Sequence, residues 1–250
     1  MPALFMALQL YQAKVDRFRD LTHDVREIDF RLSDPKEITF KAGQFVSFDV
    51  LSPRLNKPVT RPYSIASSPG QRDCVTLLLN LVPGGPGSTY LFSLKEGDET
   101  SFKGPAGSFY LKEDGTRDLL LVATGTGIAP FRSMVYYLLG QGYNRQITLY
   151  WGLRSQRDLY YQDELNALAA RHANFRFITT LSRPEPGWTG ETGRVTRLID
   201  ERVTSVADLS VYLCGNSGML EDVAAIVRKK GLCPIHKEKW YDDSGEQAEY

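Results

Sequence analysis

The first half of the chain alternates apolar and polar positions with a period of two. Residues 27–32 alternate charged and apolar side chains, residues 46–50 repeat the pattern, and residues 75–82 form a nearly continuous apolar run. A period of two is typical of strands that bury one face. Clusters of Gly, Pro, Asp and Ser separate these runs at 33–35, 41–43, 67–70 and 96–98. The spacing predicts an antiparallel β-barrel over roughly residues 8–112.

From about residue 114 the pattern changes to apolar runs that alternate with amphipathic helices. The runs that predict buried strands are 119–123, 147–151, 175–181 and 211–214. The segments that predict helices are 134–139, 164–172 and 218–230. The last helix is expected to stop at Gly231, with Lys229 and Lys230 at its C-terminal dipole end. Strands alternating with helices predict a parallel, doubly wound sheet, so we expect two domains, 1–113 and 114–250.

Composition narrows the classes of function. Thirty basic residues balance thirty acidic ones, so no global field attracts nucleic acid or a membrane surface. Three isolated cysteines without a CxxC pair argue against zinc or a cysteine-ligated iron–sulfur cluster, and three dispersed histidines argue against any metal site. No apolar run approaches the roughly 20 residues that span a bilayer. The start lacks the basic lead of a secretory signal, so we expect a cytoplasmic protein.

A Gly-rich turn lies between a predicted buried strand and a predicted helix. Residues 123–130 read Ala-Thr-Gly-Thr-Gly-Ile-Ala-Pro. The glycines allow close approach to a pyrophosphate, and the helix start supplies partial positive charge. Pro130 replaces the third glycine of the full dinucleotide fingerprint, but proline suits the first turn of a helix. The turn predicts a dinucleotide site; the alternative is a simple structural turn.

Arginines follow two neighbouring predicted strands where an NAD-binding sheet usually carries an acidic residue. The second strand of this half leads to Arg154, with no acid until Asp158, and the third leads to Arg183, with Arg194 beyond a Gly-rich loop. A guanidinium matches phosphate geometry, so this recurrence favours NADP over NAD. The alternative is that these are solvated surface arginines.

A second candidate nucleotide segment lies at residues 61–64, Arg-Pro-Tyr-Ser, at the end of a strand-like run. Downstream, residues 82–91 offer free N–H groups and hydroxyls that lead into a short helix. Arg61 and that loop suit a second diphosphate, with Tyr63 against a flat ring and Ser64 at its edge. The alternative is a strand with an exposed charge. Two bound nucleotides would suggest electron transfer between them.

Five motifs in this order resemble those of the ferredoxin–NADP reductase family, and they spread across nearly the whole chain. They are 61–64, Gly85-x-x-Ser88, 104–109, 123–130 and 214–219. The resemblance implies a Greek-key β-barrel that binds FAD at 1–113. It also implies an α/β domain that binds NADP at 114–250, with an aromatic tail at 236–250.

The resemblance also implies roles for single residues. Contacts to non-covalently bound FAD would come from Arg61, Pro62, Tyr63, Ser64, Gly87, Ser88 and Thr89. Contacts to NADP(H) would come from Thr124, Gly125, Thr126, Gly127, Pro130, Arg154, Ser182, Arg183 and Arg194. Catalytic roles would fall to Ser64 near the flavin N5 atom, Glu238 in proton handling, and Cys214 beside the nicotinamide.

The C-terminus departs from the family pattern. Glu238-Lys-Trp-Tyr241 looks like the family's terminal Glu-x-aromatic element, with Trp240 where Tyr is usual. Nine further residues, 242–250, follow where many members stop. Trp240, Tyr241 and Tyr250 therefore all stay open as the aromatic cover of the flavin.

The function that the resemblance implies is hydride transfer from NADPH to FAD. Single electrons would then pass, reversibly, to ferredoxin or flavodoxin. One alternative is the NAD(P)H-dependent reductase component of an oxygenase, or a free-flavin reductase. An alternative of another class is a non-catalytic flavin-binding sensor or subunit.

Overall fold

The computed structural model describes residues 8–112 and 115–239, which contain two six-stranded sheets. The strands of the first sheet are β1 (Gln9–Asp20), β2 (Val25–Asp34), β3 (Phe45–Ser52), β4 (Lys57–Ser64), β5 (Cys74–Asn80) and β6 (Glu99–Ala106). The strands of the second are β7 (Asp118–Thr124), β8 (Ile147–Leu153), β9 (Phe175–Leu181), β10 (Glu191–Thr192), β11 (Leu209–Gly215) and β12 (Ile235–Lys239).

Five α-helices accompany the sheets in these residues. They are α1 (Pro86–Ser93), α2 (Ile128–Gly140), α3 (Gln162–Arg171), α4 (Val195–Arg202) and α5 (Ser217–Lys230). Short 3₁₀ turns cover Gly125–Gly127 and Gln156–Asp158. Across 8–112 and 115–239, every helix is too short or too polar to cross a membrane.

The first sheet is antiparallel, with strand order β4-β3-β6-β1-β2-β5. Ile65, just after β4, forms a bridge with Leu77 of β5, so the two edges of the sheet meet and the sheet closes. Phe30, Phe48 and Phe102 fill the interior, with ring centroids 5.5–6.2 Å apart. The predicted antiparallel barrel is confirmed.

The second sheet is parallel, with strand order β10-β9-β8-β7-β11-β12. The chain moves outward from β7 to β9 and then returns to place β11 on the other side of β7. Leu119 and Leu121 of β7 belong to the core shared with α2 and α3, whereas Leu120 and Val122 belong to the core shared with α4 and α5. Helices therefore cover both faces, and the predicted doubly wound sheet is confirmed.

One hydrophobic cluster runs through both sheets. Val25 and Phe109 from the barrel half lie in the same cluster as Phe131 and Met134 of α2. The rings of Phe109 and Phe131 lie 6.0 Å apart. The two halves thus share a core, and the boundary predicted at residues 113 and 114 stays a prediction because both positions lie outside the described residues.

A buried polar link also joins the halves. The carboxylate of Glu27 on β2, only 3% exposed, accepts a 2.5 Å hydrogen bond from the hydroxyl of Tyr161 at the start of α3. Arg19 on β1 donates to the same carboxylate at 2.7 and 3.0 Å. A buried charge with such partners fixes the relative position of the segments that carry them.

We expect Phe131→Ala to lower the free energy of unfolding by about 3–5 kcal/mol, because it empties a fully buried site in the shared cluster. Chemical denaturation should show one transition reported alike by near-ultraviolet and far-ultraviolet circular dichroism, since the core is continuous. Leu55→Ala, at a position 53% exposed, is the control and should cost under about 0.5 kcal/mol. Two separate transitions, or equal effects of the two substitutions, would contradict this account.

Candidate active site

A cleft of about 550 Å³ lies where the two halves meet. Residues 124–126, 152–154 and 216 line it at the carboxyl ends of β7, β8 and β11. Asp24, Val25 and Asn80 line it from the barrel. The strand order reverses between β7 and β11, and ligands of open α/β sheets bind at such a reversal. The volume is in the range of small-molecule and cofactor sites.

The predicted pyrophosphate turn forms one wall of this cleft. Strand β7 ends at Thr124, and the 3₁₀ turn at Gly125–Gly127 continues directly into α2 with no side-chain cap. Its N–H groups therefore offer a site for an anion. Gly125 has a φ of +51°, and a Cβ on Gly127 would lie 2.4 Å from the backbone oxygen of Cys214. Glycine is thus required at both positions, and Pro130 lies buried in the first turn of α2.

The predicted phosphate-binding side chains gather at one end of the cleft. Arg154, Ser182 and Arg194 line it, and Arg194 stands immediately before α4. Arg183 is the exposed neighbour of Ser182 and donates its backbone N–H to the oxygen of Arg154 at 2.7 Å. Within residues 8–112 and 115–239, none of these three arginines forms an ion pair. Positive charge without an acidic partner suits a phosphate group.

Asp158, the first acidic residue after Arg154 in the sequence, is hydrogen-bonded to its neighbour Ser155. Its Oδ2 accepts from the backbone N–H of Ser155 at 2.7 Å and from the Ser155 hydroxyl at 2.9 Å, which closes a capping box on the 3₁₀ turn. One oxygen of this carboxylate is thus already hydrogen-bonded within the turn, although Asp158 lines the cleft.

The second candidate nucleotide segment ends strand β4. Arg61 and Tyr63 lie against the start of α1 so closely that a Cβ on Gly87 would come within 2.4 Å of the Tyr63 hydroxyl and 2.8 Å of Arg61 Cγ. The Ser88 hydroxyl accepts from the N–H of Val82 at 3.0 Å and so closes the loop. Backbone can pass over Arg61 and Tyr63 because residue 87 has no side chain.

Two other residues assigned to this segment occupy supporting positions. Pro62 pairs with Ser47 in the β3–β4 ladder. Thr89 is exposed and donates its backbone N–H to the oxygen of Gly85 at 3.0 Å. The loop over Arg61 thus has a helical start, which suits a diphosphate.

The three residues assigned catalytic roles come together although they are far apart in sequence. The Ser64 hydroxyl at the end of β4 donates to Glu238 Oε2 at 3.4 Å. Glu238 on β12 is paired in register with Cys214 on β11, a buried residue. Burial raises the pKa of Glu238 to about 7, and the hydrogen bond from Ser64 opposes that rise. A carboxyl group that exchanges a proton near neutral pH therefore lies at the junction of the two halves.

Sequence reasoning missed two residues of the cleft. The hydroxyl of Tyr160 is buried and has no hydrogen-bond partner among the described residues. Asn80, at the end of β5, accepts from the Thr126 hydroxyl at 3.4 Å and so ties the barrel to the pyrophosphate turn. A buried hydroxyl without a hydrogen-bond partner, beside a cleft, is a group to which a bound ligand could form a hydrogen bond. Neither residue belongs to a recognisable motif.

One group of potential metal ligands is present in the described part of the chain. His23, Asp24 and Asp158 place one ligand atom each within 4.8 Å of one another. The hydrogen bonds to Asp158 from Ser155 and the exposure of His23 give no reason to assign a metal. Trp240 and Tyr241, the predicted aromatic cover, lie outside the described residues, which end at Lys239.

Two family models match the two halves. A model for an oxidoreductase FAD-binding domain matches residues 12–110, and one for an oxidoreductase NAD-binding domain matches residues 121–225. Among curated proteins, ferredoxin–NADP reductase B of Sorangium cellulosum is 34% identical over 239 residues, which cover 92% of this chain and 97% of that protein.

A second group of relatives belongs to oxygenase systems. The reductase component of the naphthalene 1,2-dioxygenase/salicylate 5-hydroxylase systems of Ralstonia sp is 33% identical over 236 residues, covering 93% of this chain and 70% of that protein. The chain spans 66% of the toluate 1,2-dioxygenase electron transfer component and 63% of the naphthalene dioxygenase reductase component, both of Pseudomonas putida.

Solved structures agree with this grouping. An Amycolatopsis cytochrome P450 reductase superposes with a TM-score of 0.84 at 29% identity, over 95% of this chain and 71% of that one. A ferredoxin NADP⁺ reductase from Neisseria gonorrhoeae has the same fold, with a TM-score of 0.79 at 21% identity over 93% of this chain and 99% of that one. The resemblance found in the sequence is confirmed: the chain belongs to the ferredoxin–NAD(P) reductase family of FAD- and NAD(P)-binding oxidoreductases.

Proposed function

We propose that this chain is an NADPH-dependent flavoenzyme that moves electrons between NADP(H) and a one-electron carrier protein through bound FAD. The observation that carries the proposal is the meeting of both candidate nucleotide segments at one junction. Ser64 of the barrel contacts Glu238, and Glu238 pairs with Cys214 beside the pyrophosphate turn. Two ligands held by these segments would face each other.

The residues present fit FAD. Arg61 supplies a cation, Tyr63 an aromatic face, and the start of α1 supplies uncapped N–H groups over both, at a glycine that leaves room for backbone only. Bound FAD would accept a hydride from the nicotinamide and release electrons one at a time, which no side chain of this chain does. The protein's part is to hold the ring system in position and to keep water from it.

Glu238 would exchange a proton at this junction, with Ser64 as its hydrogen-bond partner. With a pKa near 7, Glu238 is protonated about half the time at neutral pH and so can give or take a proton. The Ser64 hydroxyl would orient that carboxyl group at the flavin edge. Cys214, a small buried residue, would leave space for the nicotinamide next to them.

The arginine cluster supports NADP(H) over NAD(H). Arg154 and Arg194 line the cleft without acidic partners in the described residues, while Asp158 is engaged by Ser155. A 2′-phosphate would be bound by such a cluster, and Oδ2 of the nearby Asp158 already accepts two hydrogen bonds from Ser155. Arg183 and Ser182 would extend the same phosphate site.

The protein partner is proposed from the relatives. One relative is named a ferredoxin–NADP reductase, and another is named the ferredoxin–NAD(P)⁺ reductase component of an oxygenase system. Ferredoxin is therefore the proposed carrier, with flavodoxin as a second one. The oxygenase relatives favour a second candidate function, the reductase component of an oxygenase system. A cytoplasmic location is part of the proposal as well.

Anaerobic addition of NADPH to the purified, FAD-loaded protein should bleach the visible flavin absorbance rapidly, and added ferredoxin should restore it. Arg61→Ala should weaken FAD binding by about tenfold or more, since it removes the cation at the diphosphate. A protein that takes up no FAD, or a flavin that stays oxidised under NADPH, would refute the enzyme and favour a non-catalytic flavin-binding protein.

Arg154→Ala should raise the KM for NADPH by about tenfold and change the KM for NADH by less than about twofold, because only NADPH carries the 2′-phosphate. Steady-state kinetics with each coenzyme measures both. The control is Arg157→Ala, since Arg157 is also exposed and lies three residues further on, but it is 3.5 Å from Glu185 and is not one of the residues that line the cleft. Equal effects of Arg154→Ala on both coenzymes would remove the phosphate assignment.

Glu238 should make the protein less stable as pH rises. Its pKa is about 7 when folded against a reference of 4.5, so the unfolded chain loses this proton first and stability falls between those values. The free energy of unfolding of the parent protein falls as the pH rises from 5 to 8. In Glu238→Gln this fall should be smaller by about 2–3 kcal/mol. Glu99→Gln, an exposed site with the same charge change, should leave it unchanged. The assignment fails if the two variants follow the same pH profile.

A further inference from the structure

The backbone that leaves the proposed flavin segment runs into the interface between the halves. Ala66 and Ser67 follow Ser64 by two and three residues and are 0% and 1% exposed. The barrel holds this stretch from one side: the N–H of Ala66 donates to the oxygen of Thr76 at 2.8 Å, and the hydroxyl of Ser67 accepts from the N–H of Thr76 at 3.1 Å. Their two carbonyl groups remain to be satisfied.

Two consecutive residues of α2 satisfy these two consecutive carbonyls. Arg132 Nη1 donates to the oxygen of Ala66 at 3.0 Å, and the Ser133 hydroxyl donates to the oxygen of Ser67 at 2.6 Å. Ser133 is 0% exposed, so water cannot replace its hydroxyl. Loss of either donor would leave a buried carbonyl without a partner, which displaces backbone or costs stability.

Arg132 is itself held in place. Its Nε and Nη2 atoms donate to the two carboxylate oxygens of Glu164 on α3 at 2.7 and 3.1 Å. Its guanidinium also lies over the rings of Tyr136 and Tyr161, at 4.9 and 5.2 Å from their centroids. A bidentate ion pair of this kind fixes the orientation of the guanidinium group. The donor to Ala66 is therefore fixed by the α/β half.

The same helix begins at the pyrophosphate turn. Residues 124–126 line the cleft, the turn leads directly into α2, and Arg132 and Ser133 lie one to two turns further on. A helix is stiff over this distance, so the turn and the two donors form one unit. Ser64, whose hydroxyl lies 3.4 Å from Glu238, precedes by two and three residues the carbonyls that these donors hold.

We propose that Arg132 and Ser133 are positioning residues for the flavin: α2 of the α/β half sets the location of the backbone that carries Tyr63 and Ser64, and thereby the affinity for FAD and the environment of its ring. The inference rests on the proposed function, because it takes residues 61–64 as the flavin segment. Neither residue touches the cofactor in this scheme. Both act through the carbonyls of Ala66 and Ser67.

The experiment compares FAD release by the holoprotein and by its Ser133→Ala and Arg132→Gln variants. Dilution of each protein, followed by the fluorescence of released flavin, gives the dissociation constant for FAD. We expect that constant to rise about five- to tenfold in each variant, as expected for one lost hydrogen bond at the supporting backbone. The visible circular dichroism of the bound flavin should change as well, because its ring would sit differently against Tyr63.

Tyr161→Phe is the matched control. It removes the buried hydrogen bond from Tyr161 to Glu27 across the same interface, but it keeps the ring under Arg132 and leaves residues 61–67 untouched. It should lower the thermal unfolding midpoint comparably to Ser133→Ala. Its FAD dissociation constant should stay within about twofold of the parent value.

Three outcomes would overturn the proposal. Retention of the parent dissociation constant and flavin spectrum by Ser133→Ala, a change small enough to fold, would show that α2 does not position the segment. A loss of FAD binding in Tyr161→Phe equal to that in Ser133→Ala would show an effect of interface stability alone. A parent protein that binds no FAD would refute the proposed function together with this inference, whereas the first two outcomes leave the proposed function standing.

Discussion

The burial of α2 between the two sheets is the constraint on which the rest of this structure depends. Nine of its residues are buried, and they pack against both the barrel and the parallel sheet. The barrel approaches so closely that a Cβ on Gly43 would lie 2.5 Å from the Met134 side chain. Because this helix cannot move without opening a core, the pyrophosphate turn at its start has a fixed position relative to the barrel. The cleft is a consequence of that packing.

Electrostatics divides the site into two regions with different chemistry. At the arginine cluster, Arg154 and Arg194 are exposed and line the cleft, so they suit a phosphate that arrives from solvent. At the junction where Ser64 contacts Glu238, burial makes the charged form of Glu238 costly and raises its pKa to about 7. A ligand that is charged at one end and exchanges a hydride at the other fits this gradient, as a pyridine dinucleotide does. In the function we propose, recognition and chemistry therefore fall to two different groups of residues.

The regular elements of the chain were predictable wherever one physical signal was strong. The predicted strand at 175–181 agrees with β9 residue for residue, and the helix predicted to stop at Gly231 is α5. Strand β12 was missed because Ile235–Lys239 is a charged run without alternation, and it forms only by pairing with β11. Helix α4 was missed because only eight residues, Val195–Arg202, form it, next to a Gly-rich loop. Such elements form because of tertiary contacts rather than local sequence propensity.

The sequence by itself determined the two kinds of sheet and the Gly-rich turn, because hydrophobic period and glycine chemistry are local properties. The family followed from the resemblance of five ordered motifs to those of known reductases. The sequence also named Ser64, Cys214 and Glu238, through motifs that are short and ordered. Only the tertiary structure decided that Ser64 and Glu238, 174 residues apart, lie within hydrogen-bond distance, and that Tyr160 and Asn80 line the cleft. It alone revealed that Arg132 and Ser133 donate hydrogen bonds to the carbonyls of Ala66 and Ser67. Proximity between distant residues follows from how α2 packs between the sheets, and local sequence patterns do not predict that packing.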